Sequence, residues 1–150
     1  MIHFLLMINK QGTCRITKFY GQVSLEQREQ RELEKEVFQK IVAREKGHSN
    51  ACSVRGFTVV YHRYVGLFVC VGVDSNDNVL IAHETVHNFV EMLDRYFGTV
   101  RELDVIYHFS SVYAILDEYI LAGEVVEANK DIVLDRVKAL PHLSGAGAGK

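Results

Sequence analysis

Residues 57–97 read FTVVYHRYVGLFVCVGVDSNDNVLIAHETVHNFVEMLDRYF, and the switch of pattern inside this stretch decides the fold class. Phe57 to His62 and Val65 to Val73 are rich in β-branched and aromatic residues, which predicts two strands. The polar run Asp74 to Asn78 breaks that pattern and leads into a helix. Val86, Phe89, Val90, Leu93 and Phe97 share one face of this helix, and Gly98 stops it.

Working toward the N-terminus, Ala51 to Val54 reads as a short strand and Gly47 to Asn50 as a loop. Ahead of the loop lies a helix with Leu33, Val37, Phe38, Ile41 and Val42 on one stripe. Ser24 and Gln27 have capping-box spacing at its start, and the charge run EQREQRELEKE reads as a solvated face. The chain opens with Ile2 to Asn9, apolar on both faces, with Ile2, Phe4, Leu6 and Ile8 set against Leu5 and Met7. Lys10, Gln11 and Gly12 make a tight turn into Cys14 to Tyr20, where Cys14 and Ile16 are expected on one face and Arg15 and Thr17 on the other.

Toward the C-terminus, Glu102 to His108 predicts a short helix. Ser111 to Leu121 predicts a longer one, with Val112, Ile115, Leu116, Tyr119 and Ile120 inward and Gly123 just past its end. Asn129 caps a last helix that finishes before Pro141, and residues 144–150, SGAGAGK, form a flexible Gly/Ala-rich tail behind a domain spanning 1–143. Strands joined by hairpins beside an α-rich second half describe an α+β domain, an antiparallel sheet packed between helices.

Composition narrows the function classes. The chain has 150 residues, 48% hydrophobic and 24% charged, which suits one folded domain. Its formal net charge of −2 supplies no basic excess for neutralising phosphates, so nucleic acid is not the expected partner. Cys14, Cys52 and Cys70 are widely spaced and form no C-x-x-C, so they read as buried thiols of a reducing compartment. The opening MIHFLLMINK has neither a basic n-region nor a small-residue cleavage site, and Tyr64 to Val73 is too short to span a bilayer. A cytosolic protein is expected.

One motif points to chemistry. His83-Glu84-Thr85-Val86-His87 spells H-E-x-x-H, and two histidines four apart on a helix share a face that can chelate zinc, with Glu84 activating water. A third ligand is not set by spacing, because Asn88, Phe89, Val90 and Glu91 follow; Glu102 is only a distant candidate. The helix is a core-packing element with these histidines at the margin of its apolar stripe, so a zinc hydrolase is the minor alternative and no enzyme, metal or cofactor is expected.

Four longer strings carry a resemblance: MIHFLLMINKQGTCRITKFY, YHRYVGLFVCVGVDSNDN, HNFVEMLDRYFGTVRELDVIYHF and ILDEYILAGEVVEAN. From Met1 to about Leu140 the sequence resembles the sigma-adaptin family, the small chains of vesicle-coat adaptor complexes, with the motifs in that family's order. Glu84 and His87 fall where the family shows E-x-x-H, so only His83 is extra. The opening and the LFVCVGVD strand look most similar to the small chain of adaptor protein complex 4, whereas RYFGTVRELD is shared with complexes 1 and 2, the alternative assignment. A further alternative is another longin-like trafficking subunit without a cargo pocket.

The resemblance implies a longin-like fold, a five-stranded antiparallel sheet between helices. It implies assembly with two large adaptin chains and one medium chain, the small chain lying on the helical solenoid of one large chain. Cargo sorting at the trans-Golgi network and endosomes follows for complex 4, and clathrin-coated vesicles for complexes 1 and 2. By motif position, the pocket for acidic-dileucine signals, [D/E]-x-x-x-L-[L/I], falls on Val65, Leu67, Val90, Thr99, Val100 and Leu103, with Arg15 as the basic contact. Val65 stands where the family commonly has alanine, which narrows the pocket wall. SVRGF at Ser53 to Phe57 replaces a usual aromatic and acid, so that strand edge is expected to be looser, and the loop around Gly47 is slightly long.

Overall fold

A computed structural model describes residues 1–20, 26–44, 50–64 and 66–140. The expected cap at Ser24, the pocket wall at Val65, the stop at Pro141 and the 144–150 tail lie outside the described residues. The elements are β1 (Ile2–Asn9), β2 (Cys14–Phe19), α1 (Gln27–Arg44), β3 (Ala51–Val54), β4 (Phe57–Tyr64), β5 (Leu67–Asp74), α2 (Val79–Phe97), α3 (Glu102–Tyr107), α4 (Phe109–Tyr119), β6 (Ile120–Leu121), β7 (Glu124–Val125) and α5 (Lys130–Lys138).

Five strands form one sheet in the order β2-β1-β5-β4-β3, every neighbouring pair antiparallel. The α+β class expected from the sequence is the one observed. β1 and β5 are central, which explains why Leu67 to Val73 is buried throughout: both of its faces are covered. On one face α1 packs Leu33, Val37 and Ile41 against Phe4, Leu6, Ile8, Phe68 and Cys70. On the other, α2, α4 and α5 pack Phe89, Leu93, Ile115, Leu116, Val133 and Val137 against Leu5, Met7, Val69 and Val71. Burying such side chains is worth about 1.5–3 kcal/mol each, so this two-faced core dominates the fold.

Bulges change which face several residues serve. Opposite β5, the register steps between Ile2 and Phe4, so Ile2 joins the core beneath α2 while Phe4 joins that beneath α1. Opposite β1, it steps between Met7, which faces Ile16, and Ile8, which faces Cys14. Arg15 is the extra residue; Ile16 turns into the α2 side and Cys14 packs on the α1 side. Strict alternation, which put Ile2 with Phe4 and Cys14 with Ile16, fails at both places because an inserted residue inverts the pleat.

Helix edges also differ from expectation. Val42 is 47% exposed, outside the buried stripe of α1. The helix expected to run to Leu121 ends at Tyr119, and Ile120 and Leu121 form a small hairpin with Glu124 and Val125. Ala122 and Gly123 take positive φ of 52° and 85°, so Gly123 turns a hairpin and does not cap a helix. Its backbone also packs on β1: the Ile2 amide donates to the Gly123 carbonyl at 2.8 Å. The expected cap at Asn129 is present, its side-chain oxygen accepting from the Asp131 and Ile132 amides, and Asn78 caps α2 in the same way by accepting from the Leu80 amide. The β3–β4 edge is not loose: Arg55 and Gly56 make the turn, and Arg55 donates two bonds of 2.9 Å to Glu36 of α1.

None of the three cysteines is in a disulfide. Cys52 and Cys70 are buried, and burial, followed by the charge of Glu34, pushes the half-buried Cys14 thiol up to about 12. Burial likewise raises the Cys70 thiol, so Cys14 and Cys70 are packing side chains kept protonated at neutral pH.

Candidate functional site

The tip of the β1–β2 hairpin is organised by Asn9, which is 4% exposed. Its side-chain oxygen accepts from the Gln11 and Thr13 amides at 3.0 and 2.9 Å, closing the turn. Its amide nitrogen donates to Oε2 of Glu102, at 2.9 Å, from the first turn of α3. The same oxygen receives Nε of Arg15 at 2.9 Å. Arg15 reaches it because the bulge swings this residue to the α3 side of the sheet. The Asn9 bond first, then the Arg15 bond, hold the Glu102 carboxyl below the ordinary carboxylate range.

The link between α2 and α3 is fixed by Asp94, which accepts from the Tyr64 hydroxyl at 2.5 Å and from the Val100 amide at 2.9 Å. That bond pushes the Tyr64 phenol up to about 12. It also seats Val100 in the core, 1% exposed.

The residues expected to form a leucine pocket divide into two sets. Leu67, Val90 and Val100 are 1%, 7% and 1% exposed and belong to one apolar cluster. Thr99 and Leu103 are exposed, Leu103 at 54%, and Arg15 is partly exposed on the same side through its bond to α3. Val65, between β4 and β5, is outside the described residues. The structure brings the Thr99–Leu103 segment beside Arg15, and it closes the apolar floor. Asn9, Asp94 and Glu102 position this region, and the sequence reading gave none of them that role. An asparagine ahead of Lys10-Gln11-Gly12 is a turn signal, but nothing in the chain order announces its bond to a residue 93 positions away.

The H-E-x-x-H residues do not converge. His83 Nδ1 faces His62 Nε2 of β4 at 3.0 Å, whereas His87 Nε2 pairs with Glu91 at 2.5 Å. Among the described residues no three His, Cys, Asp or Glu side chains form a group able to hold a metal. His83 and His87 are thus turned to separate partners, and Glu102, the distant candidate ligand, is bonded to Asn9 and Arg15.

The histidine pair has a consequence for pH. Burial, then the neighbouring charges of His83 and His87, lowers the His62 pKa, and burial lowers that of His83. A histidine lowered on folding contributes stability above its unfolded value, about 6.5, and that stability is lost as pH falls from there through the folded value. The thermal midpoint is therefore expected to drop below about pH 6.5, ahead of the loss from lowered carboxylates such as Glu91 and Glu102. His62→Gln should flatten the profile just below about pH 6.5; an unchanged slope there would assign the early loss elsewhere.

Comparison with known proteins places this architecture. A family model described as the clathrin adaptor complex small chain matches residues 1–144. The AP-2 complex subunit sigma of Dictyostelium discoideum is 45% identical over 143 residues, covering 95% of this chain and 99% of that protein. The Neurospora crassa AP-2 complex subunit sigma is 46% identical over 144 residues, with the same coverage of 95% and 99%. AP-1 complex subunit sigma-3 of Homo sapiens is 38% identical over 138 residues, 92% of this chain and 88% of that one. A chain in a homology model of the full-length AP-3 complex, in a stretched open conformation, superposes with a TM-score of 0.73 at 26% identity, covering 99% and 98% of the two chains. These relatives are chains of complexes 2, 1 and 3, so the expectation of complex 4 finds no support in them.

Proposed function

We propose, from the premise that this chain belongs to the clathrin adaptor complex small-chain family, that it is the sigma subunit of a complex of the AP-2 type, with the AP-1 type second. The family is one of non-enzymatic adaptor subunits in vesicle transport, and the spread donors of the H-E-x-x-H helix accord with that. The observation that carries the choice of complex is near-full-length identity of 44–46% to AP-2 sigma chains, against 38–41% for AP-1 sigma chains. The chain then works on the cytosolic face of membranes and coated vesicles, held there by its complex. The organelle, trans-Golgi network and endosomes in the sequence reading, follows from which large chain binds.

Uncovered apolar surface supports a subunit role. Leu80, Ile81, Leu121 and Val126 are 77%, 62%, 64% and 54% exposed, and a cleft of about 280 Å3 lined in part by Val73, Ile81, Thr85 and Val125 lies among them. Tyr107 and Phe109 expose a second apolar area on α3 and α4. Obligate partners bury surfaces of this kind, and two large adaptin chains with one medium chain are the proposed occupants.

The site around Arg15, Thr99, Val100 and Leu103 is proposed to read acidic-dileucine tails of membrane cargo, with Leu67, Val90 and Val65 completing the pocket. Two captured leucines supply about 1.5–3 kcal/mol each, offset by ordering an extended peptide. Binding is weak and reversible.

Affinity purification of the tagged chain from its own cells is expected to recover two large chains and a medium chain in equal amounts, the large chains being of the AP-2 type. Recovery with AP-1-type large chains would move the assignment to the second reading. Recovery of the small chain alone would remove the subunit role.

A further inference from the structure

α3 is the least anchored of the helices around the candidate site. It is 6 residues long and buries one of them, Val105. Much of its hold comes from its ends. Asp104 closes its own first turn by accepting from the Arg101 amide at 3.0 Å, and Glu102 reaches outward to the β1–β2 hairpin. Elements with few buried apolar groups open at low free energy. The segment that Glu102 secures contains Val100 two positions before it and Leu103 one position after it, the proposed leucine contacts.

Glu102 also occupies the cation on which an acidic signal depends. One carboxylate oxygen collects Nε of Arg15 and the amide of Asn9, from the two strands of one hairpin. A carboxylate four residues ahead of a leucine pair in an incoming tail would present the same chemistry to the same guanidinium. Arginine binds a carboxylate best through two parallel N–H bonds, and here the Nε edge of the fork is already committed.

We propose that Glu102 is an internal competitor for the acidic residue of a dileucine tail, and that its release from Arg15 and Asn9 frees α3 for the leucines to enter. This rests on the reading of Arg15 as the cargo contact. Glu102 sets specificity in two ways: it makes tails lacking an acid poor at displacing it, and it keeps Leu67, Val90 and Val100 closed until an acid arrives. The bond is partly exposed, with Glu102 and Arg15 side chains 30% and 34% accessible, so an incoming carboxylate reaches it from solvent.

The test measures two peptides on the assembled complex, one with Glu four residues ahead of Leu-Leu and one with Gln there. The quantities read are the Kd of the acidic peptide on each variant, for the Glu102 substitutions, and the ratio of the two peptides' Kd values, for Arg15→Gln. Glu102→Gln is expected to tighten the acidic peptide by about three- to fivefold, as fits release of an exposed ion pair. Glu102→Asp keeps the charge but withdraws it by one methylene, and should tighten the acidic peptide by a smaller factor. Arg15→Gln should bring the Kd ratio close to one. If Arg15→Gln collapses the ratio while both Glu102 variants leave acidic-peptide affinity unchanged or weaker, competition is overturned and the cargo site stands. If Arg15→Gln leaves the ratio at its original value, the cargo reading of Arg15 fails, and the competition proposal with it.

Discussion

Gly72→Ala is expected to destabilise the chain by about 3 kcal/mol. A Cβ built on Gly72, in the middle of β5, would lie 2.2 Å from two carbons of the Phe4 ring. That ring cannot swing away freely. Phe4 is 1% exposed and sits edge-on to Phe57, with centroids 5.7 Å apart, and tilted against Phe19 at 5.9 Å. The bulge at His3 fixes Phe4 on the α1 face, so the missing side chain on β5 is filled by the ring from β1. Urea unfolding of the purified chain reads the loss. In a Phe4→Leu background the same substitution should cost about 1 kcal/mol or less, because the colliding ring is gone. An equal cost in both backgrounds would show that the ring is not what excludes a side chain at Gly72.

Val90→Asp should cost at least about 3 kcal/mol and behave as a folding variant. Val90 is 7% exposed within the cluster that includes Leu67, Leu93 and Val100, so its replacement buries a carboxylate among apolar side chains. Burial raises the pKa of that new acid above its unfolded value, and the penalty grows as pH rises through the raised value. Measured against the unmodified chain at each pH, the deficit in thermal midpoint should be smaller at pH 4 than at pH 7. A variant as stable as the parent at pH 7 would contradict the buried position. The apolar floor of the proposed pocket is thus structural in the closed arrangement. Leu103, more than half exposed, is the position where binding can be probed with little effect on folding.

Closure of that floor links the Val90 result to function. A pocket whose walls are core residues opens only if a weakly held element moves, and α3 is the element with the least buried surface beside it. On the proposed reading, complex assembly would bear on the same equilibrium, because Tyr107 and Phe109, exposed here, flank the α3–α4 junction. A partner that covers them in one position of α3 would shift its population by its differential affinity for that position.

Period and composition by themselves determined the α+β class, the order of the sheet strands and main helices, the two-faced burial of β1, and the absence of a nucleic-acid partner from the expected functions. These follow from local rules: β-branched runs make strands, apolar residues at helical spacing make a buried stripe, and Asn129 starts a helix wherever the rest of the chain lies. The longer motifs determined the family as well, though the choice among complexes drawn from them pointed to complex 4 where the relatives point to complexes 2 and 1. Only the tertiary structure decided the faces of Ile2, Cys14 and Arg15, because an inserted residue shows itself in pairing with another strand and leaves no mark in its own. It alone joined Asn9 and Arg15 to Glu102, separated His83 from His87, and buried Val100 while leaving Leu103 in solvent. Each of those depends on which distant element comes to lie opposite, and that is set by the whole packed core.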